Sequence, residues 1–129
     1  VFESCYELAN VNIPNGVTEI GVNAYYDCLS LMNITIPSTV TKIGDDAFRV
    51  QEWTNKDQYQ YNKMVNVAKN RVVICLPSTP PILGDGAFSI VTGKGDIATY
   101  IIYVPSNSLE AYKAAPNWSN IADRIMPMV

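Results

Sequence analysis

Histidine is absent from this chain, and with it the commonest general base, proton shuttle and zinc ligand. Charge is also scarce: Asp, Glu, Lys and Arg make up 16% of residues, against roughly 25% in an ordinary soluble domain. The balance is acidic, with a formal net charge of −3, so no basic surface exists to neutralise phosphates and a nucleic-acid partner is not expected. Long apolar runs are missing. Val72 to Leu76 and Tyr100 to Val104 are the longest, far short of the ~20 residues that span a bilayer. The chain has 3 cysteines, dispersed and without imidazole beside them, which argues against a metal site. No Gly-x-Ser-x-Gly elbow, phosphate-binding loop or dinucleotide fingerprint occurs, and Thr92-Gly93-Lys94-Gly95 lacks the Walker spacing. An enzyme is therefore the least expected class, and no catalytic residue, metal ligand or cofactor is assigned.

What remains is ordinary core-forming material. Hydrophobic residues are 48% of 129, enough for one domain with its own core. High apolar content with low charge argues against disorder.

The informative feature is a repeat. Sliding the chain by 23 residues aligns 1–26 with 24–49 at ten identical positions, among them Cys5/Cys28, Leu8/Leu31, Ile13/Ile36, Pro14/Pro37, Ile20/Ile43, Gly21/Gly44 and Ala24/Ala47. Random pairing would give about one or two, on common residue frequencies. The unit returns as Ile74-Cys75-Leu76-Pro77, aligned on the proline with Ile34-Thr35-Ile36-Pro37, and as Gly84-Asp85-Gly86-Ala87-Phe88. A fourth strand, Ile102-Tyr103-Val104-Pro105, follows. Residue 1 corresponds to the end of a unit, so the stack is expected to continue upstream and the chain to be a C-terminal fragment.

Ile-x-Ile is strand alternation with period two, and the following proline ends the strand because it donates no ladder hydrogen bond. Gly21 and Gly44 are expected to turn the chain with positive φ. Ala24-Tyr25 and Ala47-Phe48 are expected to open short helical segments whose rings fill the core. One such coil cannot bury its own apolar face, whereas stacked coils share one continuous core.

The string Ile-Pro-x-x-Val-Thr-x-Ile-Gly-x-x-Ala-Phe, nearly intact in the second unit, resembles the BspA-like leucine-rich repeats of surface and secreted proteins of Bacteroidetes and some parasites. The resemblance implies a leucine-rich-repeat solenoid, an α/β fold of units of about 23 residues. It also implies a cell-surface or extracellular location and a role in adhesion or protein binding. The segment from Val104 to Lys113, with Trp118 and Ile121 to Ile125, looks like the closing segment of such proteins.

Residues 1–105 are thus read as the repeat region, interrupted by an insertion at 49–71, and 106–129 as a helical cap. The insertion carries five basic and two acidic residues; the rest of the chain carries four and ten. In the cap, Ser106 or Ser108 is expected to cap a first helix with Leu109, Tyr112 and Ala115 on one face. A second helix would lay Trp118, Ile121, Ala122 and Ile125 over the open end of the core.

Two groups of residues are candidates for partner binding. Trp53, Tyr59 and Tyr61 sit among amides and lysines in the insertion, where such rings supply rigid contact area for a protein or stack on a sugar; the alternative is that they fold back over the repeats. On the strands, the positions between core residues read Asn10 and Asn12, Asn33 and Thr35, Val73 and Cys75, then Ile101 and Tyr103. That face becomes apolar toward the C-terminus, and an exposed apolar patch marks a contact site unless the cap or insertion covers it. Cys5 and Cys28, in equivalent positions of adjacent coils, are read as buried thiols, with a disulfide as the alternative. Asp45, Asp46 and Asp85 are read as turn caps rather than acid–base groups. The sequons at Asn33 and Asn117 are read as chance matches. The expected function is a surface or secreted module that binds a host or bacterial protein. Glycan capture and a structural stalk are the alternatives.

Overall fold

The computed structural model describes residues 9–26, 28, 31–51, 70–91 and 99–128. The first strands of successive units form one parallel sheet. They are β1 (Asn10–Asn12), β3 (Asn33–Ile36), β6 (Asn70–Cys75) and β9 (Thr99–Val104), followed at the edge by β10 (Ile125–Pro127). Shorter second strands, β2 (Glu19–Ile20), β4 (Lys42–Ile43) and β7 (Ile82–Leu83), form a second parallel sheet. A two-stranded sheet pairs β5 (Val50–Gln51) with β8 (Ile90–Val91). The first two units pair at the 23-residue offset of the sequence repeat: Asn10 opposite Asn33, Val11 opposite Ile34, Asn12 opposite Thr35.

This register stacks like on like. Val11, Ile34, Val73, Ile102 and Ile125 make one buried row across the five strands. Each such side chain contributes roughly 1.5–3 kcal/mol when taken from water. A second column is aromatic. Tyr25 stacks on Phe48 at 5.2 Å and Phe48 on Phe88 at 5.3 Å, with rings within 3° of parallel. Tyr100 then meets Phe88 edge-on at 5.2 Å, and Trp118 tilts against it at 5.9 Å.

The residues after the second strands are hydrogen-bonded turns, not helices. Residues 22–26, 45–48 and 85–88 close through i to i+3 bonds such as Ala24 N–H to Gly21 C=O. The left-handed residue in each turn is Asn23 (φ 59°), Asp46 (φ 57°) and Gly86 (φ 70°), not the expected Gly21 and Gly44. Asn, Asp and Gly tolerate that conformation best. Gly44 is needed for another reason: a Cβ there would lie 2.5 Å from the Val22 backbone nitrogen of the preceding unit. Asp45 Oδ1 accepts the Asp85 N–H at 2.9 Å, so the carboxylate caps the next turn rather than its own.

The third unit departs from the expected register. Ile36 lies opposite Cys75 and Ile34 opposite Val73, one residue off the alignment on Pro77. Leu76 takes the place that Pro37 holds in the second unit, and its N–H bonds Ile36 C=O at 3.0 Å. Because side chains alternate with period two, a one-residue shift exchanges the faces. Cys75 and Val73 are buried, not outward. The break in the repeat is also narrower than 49–71, since Val50–Gln51 and Asn70–Arg71 lie in strands. Arg71 is fully buried, donating from Nη1 to Cys28 C=O at 3.1 Å with its guanidinium 5.5 Å from the Tyr100 ring.

After β9, a 3-10 turn (Ser106–Ser108) leads into α1 (Leu109–Ala114), then a kinked 3-10 segment (Trp118–Arg124) and β10. Tyr112 and Trp118 are fully buried and Leu109, Ala115 and Ile121 pack on the core, the face expected from the sequence. Two expectations fail. Neither serine caps a helix with its side chain: Ser106 Oγ donates to Met128 C=O, and Ser108 Oγ to Ser78 C=O at 2.6 Å. Ile125 belongs to a strand parallel to β9, not to a second α-helix.

Candidate functional site

The face of the five-stranded sheet turned away from the core is set by the same register. One row runs Asn10, Asn33, Val72, Ile101; the next runs Asn12, Thr35, Ile74, Tyr103, Met126. Its first two strands are polar, and Asn33 Nδ2 donates to Asn10 Oδ1 at 2.8 Å. Its last three are apolar: Val72, Ile74, Ile101 and Tyr103 are each half-buried and Met126 is 39% exposed. Side chains two residues apart on one strand, and opposite each other on neighbours, share one surface.

The structure brings together two of the expected partner-binding residues, Ile101 and Tyr103. Val73 is excluded from that face by its full burial. The third pair of the face is Val72 and Ile74, which reading outward from Pro77 missed. Met126 joins the face because its segment is a strand beside β9 and not the helix expected of it. Trp53, Tyr59 and Tyr61 lie outside the described residues, as does Cys5, the proposed counterpart of buried Cys28.

The groups behind the face are chemically quiet. Cys75 Sγ lies 3.5 Å from Tyr112 Oη, which donates to Pro77 C=O at 2.5 Å. Burial pushes the Cys75 thiol up to about 12, with the Tyr112 hydrogen bond opposing. The Tyr112 hydroxyl is held well above its ordinary value, again mainly by burial. Tyr100 is pushed up to about 12 by burial, and the Arg71 charge beside it opposes this. Neutral side chains held neutral are core, not nucleophiles. Among the described residues no group of His, Cys, Asp or Glu is placed to hold a metal, and no helix is long and apolar enough to cross a membrane. Both sequon asparagines carry structural bonds: Asn33 to Asn10, and Asn117 Nδ2 to Leu83 C=O at 2.7 Å.

A search of curated proteins returned no match to the chain. The BspA-type leucine-rich repeat region matches residues 1–89, in 6 copies. Leucine-rich repeats generally mediate protein–protein interaction and are typically binding modules rather than enzymes. The parallel stacking of successive repeat units, the apolar rows they share and this match over most of the length lead to one assignment: the chain belongs to the BspA-type leucine-rich repeat family.

Proposed function

We propose that the chain is part of a cell-surface or secreted adhesion protein and that the outward strand face is where a protein partner docks. The observation that carries this reading is the change across that face from amides to Val72, Ile74, Ile101, Tyr103 and Met126. A contiguous apolar area beside a polar rim is the composition of a docking surface. In this reading the stacked units form a leucine-rich-repeat solenoid, residues 106–129 close its end, and Trp53, Tyr59 and Tyr61 add contacts from the insertion.

The test is binding of the purified chain to immobilised extracellular-matrix and plasma proteins and to a glycan array. The double variant Ile101→Ser/Tyr103→Ser is expected to weaken capture of a protein partner at least tenfold, about 1.4 kcal/mol. Wild-type binding by that variant contradicts the reading. Binding to sugars alone, lost in Trp53→Ala, supports glycan capture in its place.

A further inference from the structure

Backbone hydrogen bonds join successive units along the second strands and in the turns that follow them. Parallel strands exchange bonds in both directions, and in the second strands the later unit donates several of them. Gly44 N–H bonds Ile20 C=O and Gly84 N–H bonds Ile43 C=O, both at 2.7 Å, and Ile82 N–H bonds Thr41 C=O at 2.9 Å. In the turns the earlier unit donates. Tyr25 N–H bonds Ala47 C=O at 2.7 Å, Asp46 N–H bonds Asp85 C=O at 3.0 Å, and Phe48 N–H bonds Ala87 C=O at 2.8 Å.

On its far side the third unit therefore presents carbonyls from its second strand and amides from its turn. The carbonyls are taken by side chains of the closing segment. Trp118 Nε1 donates to Pro81 C=O at 2.8 Å and Asn117 Nδ2 to Leu83 C=O at 2.7 Å. These are the positions equivalent to Thr41 and Ile43, so two side chains replace the backbone of a fourth unit. The amides of Gly86 and Phe88, equivalent to Asp46 and Phe48, meet no acceptor among the described residues. Both residues line a cleft of about 360 Å³, walled by the turn itself and by Asn117, Asn120, Ile121 and Arg124. The Arg124 side chain makes no ion pair among the described residues, while the Asp85 carboxylate accepts from Asn117 Nδ2 at 3.1 Å.

We infer that this cleft binds an extended acidic peptide segment of a partner protein, whose alternate carbonyls accept from Gly86 and Phe88 and whose carboxylate meets Arg124. The chain supplies the precedent twice, in the carbonyls that meet Asp46 and Phe48. Addition of an extended segment to an open backbone edge draws affinity from main-chain bonds and selectivity from flanking side chains. A guanidinium selects a carboxylate, which it can hold bidentately. This site is separate from the outward strand face and stands whether or not that face binds a protein.

The experiment is a titration of the isotope-labelled chain, followed by amide resonances, with a blocked heptapeptide of alternating valine and aspartate. The same peptide with lysine for aspartate is the control. The expected result is a saturable downfield shift of the Gly86 and Phe88 amide protons with the acidic peptide. Binding should fall at least tenfold in Arg124→Glu and several-fold in Arg124→Ala, which keeps the test valid should the first variant misfold. The double variant Ile101→Ser/Tyr103→Ser should bind the peptide as wild type does. No movement of the two amides, equal movement with the lysine peptide, or unchanged binding in both Arg124 variants overturns the inference.

Discussion

Units one and two, residues 10–48, hold together mainly through the main chain, whereas the third unit holds to the closing segment through side chains. In the first case Thr41 and Gly44 amides meet Thr18 and Ile20 carbonyls. In the second, Trp118 Nε1, Asn117 Nδ2, Tyr112 Oη and Ser108 Oγ reach the carbonyls of Pro81, Leu83, Pro77 and Ser78. The difference separates two kinds of constraint. A backbone ladder is indifferent to most side chains and asks only that the units approach closely. A side-chain closure depends on particular residues, each with its own donor in place.

The comparison breaks most sharply at Trp118. It is fully buried, touches Phe88 and stacks edge-on to Tyr112 at 5.0 Å. Trp118→Ala should cost ~3–5 kcal/mol in stability, measured by chemical denaturation, because it opens a cavity and strands the Pro81 carbonyl. A loss under 1 kcal/mol, on the order of a surface substitution, would mean the closing segment is not what seals the core.

On the ladder side the sensitive residues are the glycines at close approach. Gly44→Ala places a Cβ against Val22 backbone and should cost roughly 1–3 kcal/mol, read by the same denaturation. Gly21 has the same place in the first unit, where an added Cβ would meet nothing within 4 Å among the described residues. Gly21→Ala should therefore be neutral, or stabilise by up to ~1 kcal/mol through the unfolded chain. Equal costs at the two positions would contradict the stacking order.

The smallest effect near neutral pH concerns the buried hydroxyls and thiol of the closing half. Cys75 and Tyr100 are raised to about 12, so both stay neutral in the folded chain while their unfolded counterparts ionise earlier. The stability this contributes is complete below the unfolded values, 9.0 for Cys75 and 10.0 for Tyr100. It is lost as pH rises from there toward 12. Denaturation midpoints should be flat from neutrality to about pH 9, near the ordinary thiol value, and fall above it. In Cys75→Val the onset should move toward the tyrosine range.

Much of this was legible from residues alone. The 23-residue offset placed Val11 against Ile34, and the spacing of Leu109, Tyr112 and Trp118 marked side chains that pack in or against the core. The register of the third strand was not legible. Val72 to Leu76 is apolar throughout, so it carries no alternation to say which face is which, and Pro77 stands one residue beyond the register position that Pro14 and Pro37 share. Anchoring on the proline therefore exchanged Val73 for Val72 and Cys75 for Ile74 on the candidate face. The left-handed turn position was available in Asn23, Asp46 and Gly86, three residue types that share that conformation, but the invariant glycine two residues earlier drew the assignment. The Gly86 and Phe88 amides, which meet no acceptor among the described residues, had no sequence signal at all, since they follow from the direction in which the turns donate.

The stack continues through the break, and this is what joins Val72 and Ile74 to Ile101 and Tyr103 on one face. Thiol-labelling rates of Ile74→Cys and Val73→Cys, each in a Cys5→Ser background, test this directly. Ile74→Cys should react with a maleimide at least ten times faster than Val73→Cys in the folded chain, and the two should react alike once unfolded. Faster labelling of Val73→Cys, or equal rates in the folded chain, would contradict the register and remove the face built on it.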